Sequence, residues 1–315
     1  MRIAFLGTPE VAVPSLEALV ADPDIEVAVV LCNPDRPKGR SRTPVPPPVK
    51  VAAEAHGLEV WQPVKPRQVR EELEALALDA CAVVAYGALL PADVLAVPRL
   101  GYVNLHFSLL PRWRGAAPVQ HALRAGDRET GVTTFVLDEG MDTGPVLRSV
   151  PVAIEPQESA GELLARLADL GAPVLVESLH ALALGATPVP QPAHGATLAP
   201  KIRPEDVAIA FDRPARELAN LVRSADPAPG AHARWRGERC KVFRALAEDV
   251  PVPADATPGT VLATDRTGVL VATGDGALRL TEVQPAGKPR MDAAAFANGA
   301  RLAAGDRFED GDEDR

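Results

Sequence analysis

From residue 2 to about residue 185, short apolar runs alternate with segments of helical period. RIAFLGT (2–8), IEVAVVLC (25–32), the centre of ALDACAVVAYG (77–87) and GYVNLHF (101–107) carry few polar residues. A strand with one wet face alternates polar and apolar side chains. A strand that is apolar throughout is buried on both faces, as happens where helices cover a parallel sheet. VAVPSLEALVA (11–21) has the composition of a covering helix. SAGELLARLADLGAPVLVESLHALALG (159–185) reads as one long amphipathic helix with Pro173 as a kink point. GVTTFVLDEG (131–140) and PVLRSVPV (145–152) read as two further strands. The pattern predicts an α/β domain over 1–186, built on a mainly parallel, Rossmann-like sheet, with ligands bound beyond the carboxyl ends of its strands.

The alternation stops at TPVPQPAHGATLAPKIRPED (187–206), whose prolines and glycines bar long regular structure, so 187–205 is expected to be a linker. One brief helix follows (DRPARELANLVRS, 212–224). Then come short strand-like runs, AHARWRG, ERCKVFRA, GTVLAT and GVLVATGDGALRLTEVQ, with a hairpin signal at GDG (274–276). Residues 206–305 are thus expected to form a small β-rich, barrel-like domain. DRFEDGDEDR (306–315) has six acids, two arginines and a single apolar residue, Phe308, and is expected to be a disordered acidic tail.

No run of eighteen apolar residues exists in the 315, so no membrane span is expected. The N-terminus lacks the order of a signal peptide. Cys32, Cys81 and Cys240 are few and far apart, which argues against a disulfide framework and for a reducing cytoplasm. The six histidines show no zinc spacing, and no metal is expected. A net charge of −9 and a pI of about 5.3 argue against nucleic acid when taken alone. The charge is uneven, however. Residues 34–50 carry five basic side chains and one acid, and so do residues 234–244. Local patches decide whether phosphates are held.

The chemistry concentrates in NLHFSLLPRWRG (104–115). Strand alternation puts Asn104 and His106 on one face, with Leu105 and Phe107 on the other. Polar groups in an apolar strand are hydrogen-bonded or functional. An amide donor beside an imidazole can hold a developing oxyanion. Downstream, LDEGMDTGPVL (137–147) places Asp138, Glu139 and Asp142 in a loop bounded by Gly140 and Gly144, and an acid there can reach the histidine from a neighbouring strand. The alternative is a satisfied core histidine and a solvated turn acid. These residues alone leave the two evenly weighted.

These stretches, with FLGTPEVAVPSLEAL, NPDRPKGR, PPPVK, VVAYGALLP, TLAPKI and VATGDGALRLTEVQPAGK, resemble the folate-dependent formyltransferase family over nearly the whole chain, and within it the formyltransferases of methionyl-tRNA. The resemblance implies formyl transfer from 10-formyltetrahydrofolate to the α-amine of methionine on initiator tRNA, and an OB-like second domain that holds the tRNA. It makes Asn104, His106 and Asp142 the catalytic set. In the expected mechanism the amine attacks the formyl carbon, and Asn104 with a protonated His106 stabilises the tetrahedral oxyanion. Asp142 orients His106 and, through a water, moves the proton to the leaving folate nitrogen. Ser108, Leu109, Leu110 and Pro111 match the family's folate-contacting segment, with Tyr86, Gly87 and Leu89 on the opposite wall. Arg36, Lys38, Arg40 and Arg42 fall in the loop that approaches the acceptor stem. Arg112, Arg114, Lys201, Arg234, Arg236 and Lys241 complete the expected tRNA contacts, and a monomer is expected. Phe107 stands where many relatives have glycine, but it faces away from the catalytic pair.

A dinucleotide role is not expected, since no GxGxxG follows the first strand. A glycinamide-type formyltransferase would lack the second domain. An amino-sugar-nucleotide enzyme would not need the basic loop at 34–50 or TLAPKI. A catalytically silent tRNA binder needs no Asn104/His106/Asp142 set. A formyltetrahydrofolate hydrolase would share the core and would not need the basic second domain.

Overall fold

The structure, a computed structural model, describes residues 1–37, 43–253 and 255–311. The chain divides into two compact units. The first comprises Met1–Pro118, Glu129–Ala153 and Leu164–Pro200, and the second Val119–Arg128, Ile154–Leu163 and everything from Lys201 onward.

In chain order the first elements are β1 (Arg2–Gly7), α1 (Val13–Ala21), β2 (Glu26–Leu31), the small hairpin β3 (Arg36–Pro37) and β4 (Pro44–Val45), α2 (Pro48–Ala55) and β5 (Val60–Trp61). They continue through α3 (Arg70–Ala75), β6 (Ala80–Val84), α4 (Ala92–Leu95), β7 (Tyr102–His106), α5 (Pro118–Ala125), β8 (Glu129–Val136), β9 (Val146–Ala153) and α6 (Ala160–Ala183). One seven-stranded sheet runs β5-β2-β1-β6-β7-β8-β9. It is parallel from β5 to β7 and antiparallel from β7 to β9. β6 and β7 are buried along their whole length; β6 is apolar throughout, and β7 carries Asn104 and His106 into that burial. The order reverses at β1, with β2 on one side and β6 on the other. Ligand crevices open at the carboxyl ends of strands flanking such a reversal. Helix α6 is continuous through Pro173. It runs close to β7 because Gly171 has no side chain: a Cβ there would lie 2.7 Å from Leu105 Cδ2. Leu105 is therefore the α6-facing residue of β7, and Asn104 and His106 belong to the opposite face.

The second unit is built from α7 (Ala215–Ala225), β10 (Ala231–Trp235), β11 (Glu238–Glu248), β12 (Val261–Asp265), β13 (Gly268–Ala272), β14 (Ala277–Pro285), β15 (Met291–Asp292) and α8 (Ala293–Ala300). Its sheet is antiparallel throughout, ordered β10-β11-β14-β13-β12 with β15 on β14. The two edge strands are tied by the segment expected to be disordered. Val261 N donates to the Asp306 carbonyl (2.7 Å), Phe308 N to that of Gly259 (2.9 Å), and Arg234 and Glu309 exchange backbone hydrogen bonds at 3.0 Å. Phe308 is 1% exposed and packs on the rings of Phe211, Trp235 and Phe296. The expected disorder from 306 is thus corrected for 306–311. One buried aromatic and two open strand edges outweigh an acidic composition. Residues 312–315 lie outside the described residues. Among the described residues, no helix is long and apolar enough to cross a membrane.

The segment 187–200 has no helix or long strand, yet it docks on the first unit. Val189 pairs with Val146, and Leu198 with Arg114. Thr197 and Ala199 exchange backbone hydrogen bonds with residues 111–117.

Candidate active site

β7 ends with Asn104 and His106, both buried at under a tenth exposure. The chain then turns through Phe107 to Pro111, pinned by Thr133 of β8. The Thr133 hydroxyl donates to the Ser108 carbonyl (2.7 Å) and accepts from Leu110 N–H (3.2 Å). Ser108 Oγ donates to the Arg112 carbonyl (2.7 Å), which tightens the turn. Trp113 follows with φ +61°, in the left-handed region. This conformation presents its carbonyl to His106, whose Nε2–H donates to it at 2.9 Å.

The acid comes from the loop between β8 and β9. Asp138 accepts from Gly140 N–H (3.0 Å) and from the Thr143 hydroxyl (2.7 Å), so its carboxylate shapes its own turn. Glu139 is exposed. Asp142 is the acid turned inward: its Oδ2 accepts from Gly115 N–H at 2.7 Å and lies 3.8 Å from His106 Nδ1. Gly144 allows this path, since a Cβ there would sit 1.8 Å from the Val136 carbonyl oxygen. No described residue hydrogen-bonds the Asn104 side chain, although Asn104 is only 9% exposed. With no protein partner and its polar atoms still open to solvent, the amide can take a ligand or water.

Burial holds the His106 imidazole below the ordinary histidine range, against the opposing pulls of the Asp142 carboxylate and the Trp113 carbonyl. Its resting ring is therefore neutral at pH 7, with the proton on Nε2 and the Nδ1 lone pair toward Asp142. Burial thus disfavours the protonated His106 expected at the oxyanion step: at 3.8 Å the carboxylate does not offset lost hydration.

The other expected residues fall in several places. Tyr86 and Gly87 lie in the loop leaving the carboxyl end of β6, beside β7. The Tyr86 carbonyl accepts from Thr8 Oγ1 (3.1 Å) and Asn33 Nδ2 (3.0 Å), and burial pushes the Tyr86 phenol up to about 12. Gly87 has φ +77°. Leu89 in that loop is 83% exposed, a large apolar side chain held in solvent. Leu110 is buried and Leu109 half-buried. Arg112 is exposed and lies over the Trp113 ring at 5.0 Å. Arg114 instead turns its fork to Gln191 Oε1 (3.1 and 2.6 Å). Arg36 is exposed in β3, while Lys38, Arg40 and Arg42 lie outside the described residues. In the second unit, Lys201 is exposed and Arg236 covers the Trp235 ring at 5.0 Å. Arg234 donates to the Gly237 carbonyl (2.8 Å) and Lys241 to that of Pro229 (2.7 Å).

Two residues of the site were not expected. Gln191 Nε2 donates to the Asp142 and Gly144 carbonyls, both at 2.8 Å. Thr197 Oγ1 accepts from Trp113 N–H at 2.9 Å. Both sit in the proline-rich stretch, where no periodicity marks them.

A buried Asn–His pair beside an inward carboxylate, at the carboxyl end of a mainly parallel α/β sheet, can hold a developing oxyanion and exchange a proton, which are the needs of acyl transfer. The formyl transferase family model matches residues 1–179, and the formyl transferase C-terminal domain model residues 201–301. The methionyl-tRNA formyltransferase of Streptomyces coelicolor is 50% identical over 98% of this chain and 100% of its own length. That of Cutibacterium acnes is 48% identical over the same shares. A crystal structure of HypX from Aquifex aeolicus superposes with a TM-score of 0.67 at 21% identity, over 97% of this chain and 49% of that one, so this chain spans about half the length of HypX. Another, of HypX in complex with tetrahydrofolic acid, gives 0.64 at 19% identity, over 96% and 48%. The chain belongs to the formyl transferase family.

Proposed function

We propose that this protein transfers the formyl group of 10-formyltetrahydrofolate to the α-amine of methionine on initiator methionyl-tRNA, the step that yields formylmethionyl-tRNA for translation initiation. The observation that carries the chemistry is the Asn104 amide, without a partner among the described residues, beside the His106–Asp142 pair. Full-length identity of about half to methionyl-tRNA formyltransferases supports the acceptor. The exposed apolar Leu89 and the Ser108–Pro111 turn leave the carboxyl ends of neighbouring strands, and an apolar wall with backbone polar groups fits a flat pterin ring. Folate supplies the activated formyl carbon.

In this reading the Asn104 amide donates to the oxygen that becomes negative when the amine attacks. His106, neutral at rest, takes the proton that the attacking nitrogen must shed. Asp142 stabilises the resulting imidazolium, which returns the proton to the departing folate nitrogen. A neutral His106 is the useful resting state, because a base must begin unprotonated. The exposed Arg112 and the basic side chains of 34–50 and 234–244 meet the acceptor arm. The protein acts as a cytoplasmic monomer; its buried free thiols at Cys32, Cys81 and Cys240 fit a reducing compartment.

The test is formyl transfer to methionyl initiator tRNA by the wild type, Asn104→Ala and His106→Ala. Asn104→Ala should lose about 10²–10³ in kcat with KM for folate little changed, the usual loss for one oxyanion donor. His106→Ala should lose about 10²–10⁴. Formate release without tRNA formylation by the wild type would replace this reading with a hydrolase.

A further inference from the structure

A second constellation lies wholly within the second unit, on residues that the formyl-transfer reading leaves unused. A groove of about 750 Å³ brings together Arg124, Arg128, Arg213, Arg216 and Arg223. They come from two distant stretches, the end of α5 with its following turn and the α7 region. Two acids line the groove, Asp127 and Glu217, and Glu217 receives the Arg213 fork at 3.1 and 2.7 Å. Arg124, Arg128 and Arg216 make no side-chain hydrogen bond or ion pair to any described residue. Arg223 is half-buried and fixed, donating to Asn220 Oδ1 (3.0 Å) and to the Glu155 carbonyl (3.4 Å). Burial lowers its pKa from the ordinary arginine value.

Like charges crowded together repel, and a chain of net charge −9 has acids enough to pair them. Here Arg213 has Glu217, but Arg124, Arg128 and Arg216 are left without an acid partner among the described residues. Planar guanidinium forks match phosphate oxygens, and unpaired arginines around a preformed groove are the usual way to hold them. We propose that this groove is a phosphate-binding site that takes backbone phosphates of the tRNA substrate. The proposal rests on the tRNA reading above and adds a contact surface outside the basic stretches at 34–50 and 234–244.

The test is binding of full-length protein to methionyl initiator tRNA across a salt series, comparing the wild type with Arg124→Gln/Arg216→Gln. The glutamine pair should make the slope of log affinity against log salt shallower by about two, one per lost phosphate contact, and weaken binding about tenfold at moderate salt. The kcat at saturating tRNA should not change. Arg124→Lys/Arg216→Lys should restore most of the slope, which separates lost charge from lost fold. An unchanged slope and affinity in the glutamine pair overturn the proposal. In a second arm, inorganic phosphate is titrated calorimetrically. Phosphate heat that disappears in the glutamine pair, with tRNA binding intact, makes this a free-anion site and overturns the RNA assignment. A wild type that binds no methionyl-tRNA at any salt sinks the functional reading, and the RNA assignment with it.

Discussion

His106 shows how one residue's surroundings set its chemistry. Its imidazole keeps a carbonyl acceptor on Nε2 and a carboxylate near Nδ1, yet burial dominates and lowers its pKa. This has a consequence for stability. A histidine in the unfolded chain titrates at about 6.5. Between the lower folded value and about 6.5, the unfolded state binds more protons than the folded one, so stability rises with pH through that window and is complete above it. Urea unfolding of the wild type and His106→Gln between about pH 4 and 8 should show this. The wild type should lose stability relative to the variant as pH falls below about 6.5; an advantage that grew on acidification would refute the neutral resting ring. The pairing of Asn104 with His106 was legible in the sequence, because strand alternation is a rigid rule. The protonation state was not, because desolvation depends on what packs around the ring.

At the scale of elements, the loop between β8 and β9 and the turn after β7 are held by a chain segment from elsewhere. Gln191 bonds the carbonyls of Asp142 and Gly144 while accepting the Arg114 fork, so it joins the acid loop to the post-β7 turn. Gln191→Leu should leave two carbonyls and a guanidinium without these partners and cost about 1–3 kcal/mol for each buried group left unsatisfied. Because Asp142 would lose its fixed position, kcat should fall more than KM for folate rises. Denaturant midpoints and steady-state kinetics measured together check both; a variant with wild-type kcat would remove Gln191 from the positioning of Asp142. The sequence marked 187–205 as irregular; 187–203 holds no helix or long strand, and a short 3-10 turn begins at Pro204. Composition carries no information on whether an irregular segment is docked or free. Docking here depends on the Thr197 and Ala199 hydrogen bonds to residues 111–117.

At the scale of the molecule, the second unit closes its sheet with residues that look, by composition, like solvated tail. Phe308 is the only apolar side chain in 306–315 and is fully buried. Phe308→Ala should destabilise this unit by about 3–5 kcal/mol, the usual range for an aromatic removed from a core. Thermal unfolding of the full chain checks it, and a change below about 1 kcal/mol would mean that the edge strands close without this ring. Charge behaves in the same way. The basic stretches at 34–50 and 234–244 are contiguous and visible in one dimension. The five arginines of the groove are separated by about ninety residues of chain and no window contains them.

The amino-acid sequence by itself determined the class of fold and the identity of the catalytic candidates. Apolar runs specify which strands are buried on both faces, and alternation specifies which residues share a face; both follow from backbone geometry over a few residues. The tertiary structure alone decided how near Asp142 comes to His106, that burial favours the neutral ring, that Gln191 and Thr197 brace the site, that 306–311 seals the second sheet, and where the unpaired arginines gather. Each of these depends on groups far apart in the chain meeting in space, where burial and hydrogen-bond geometry are set, and no local periodicity records such meetings.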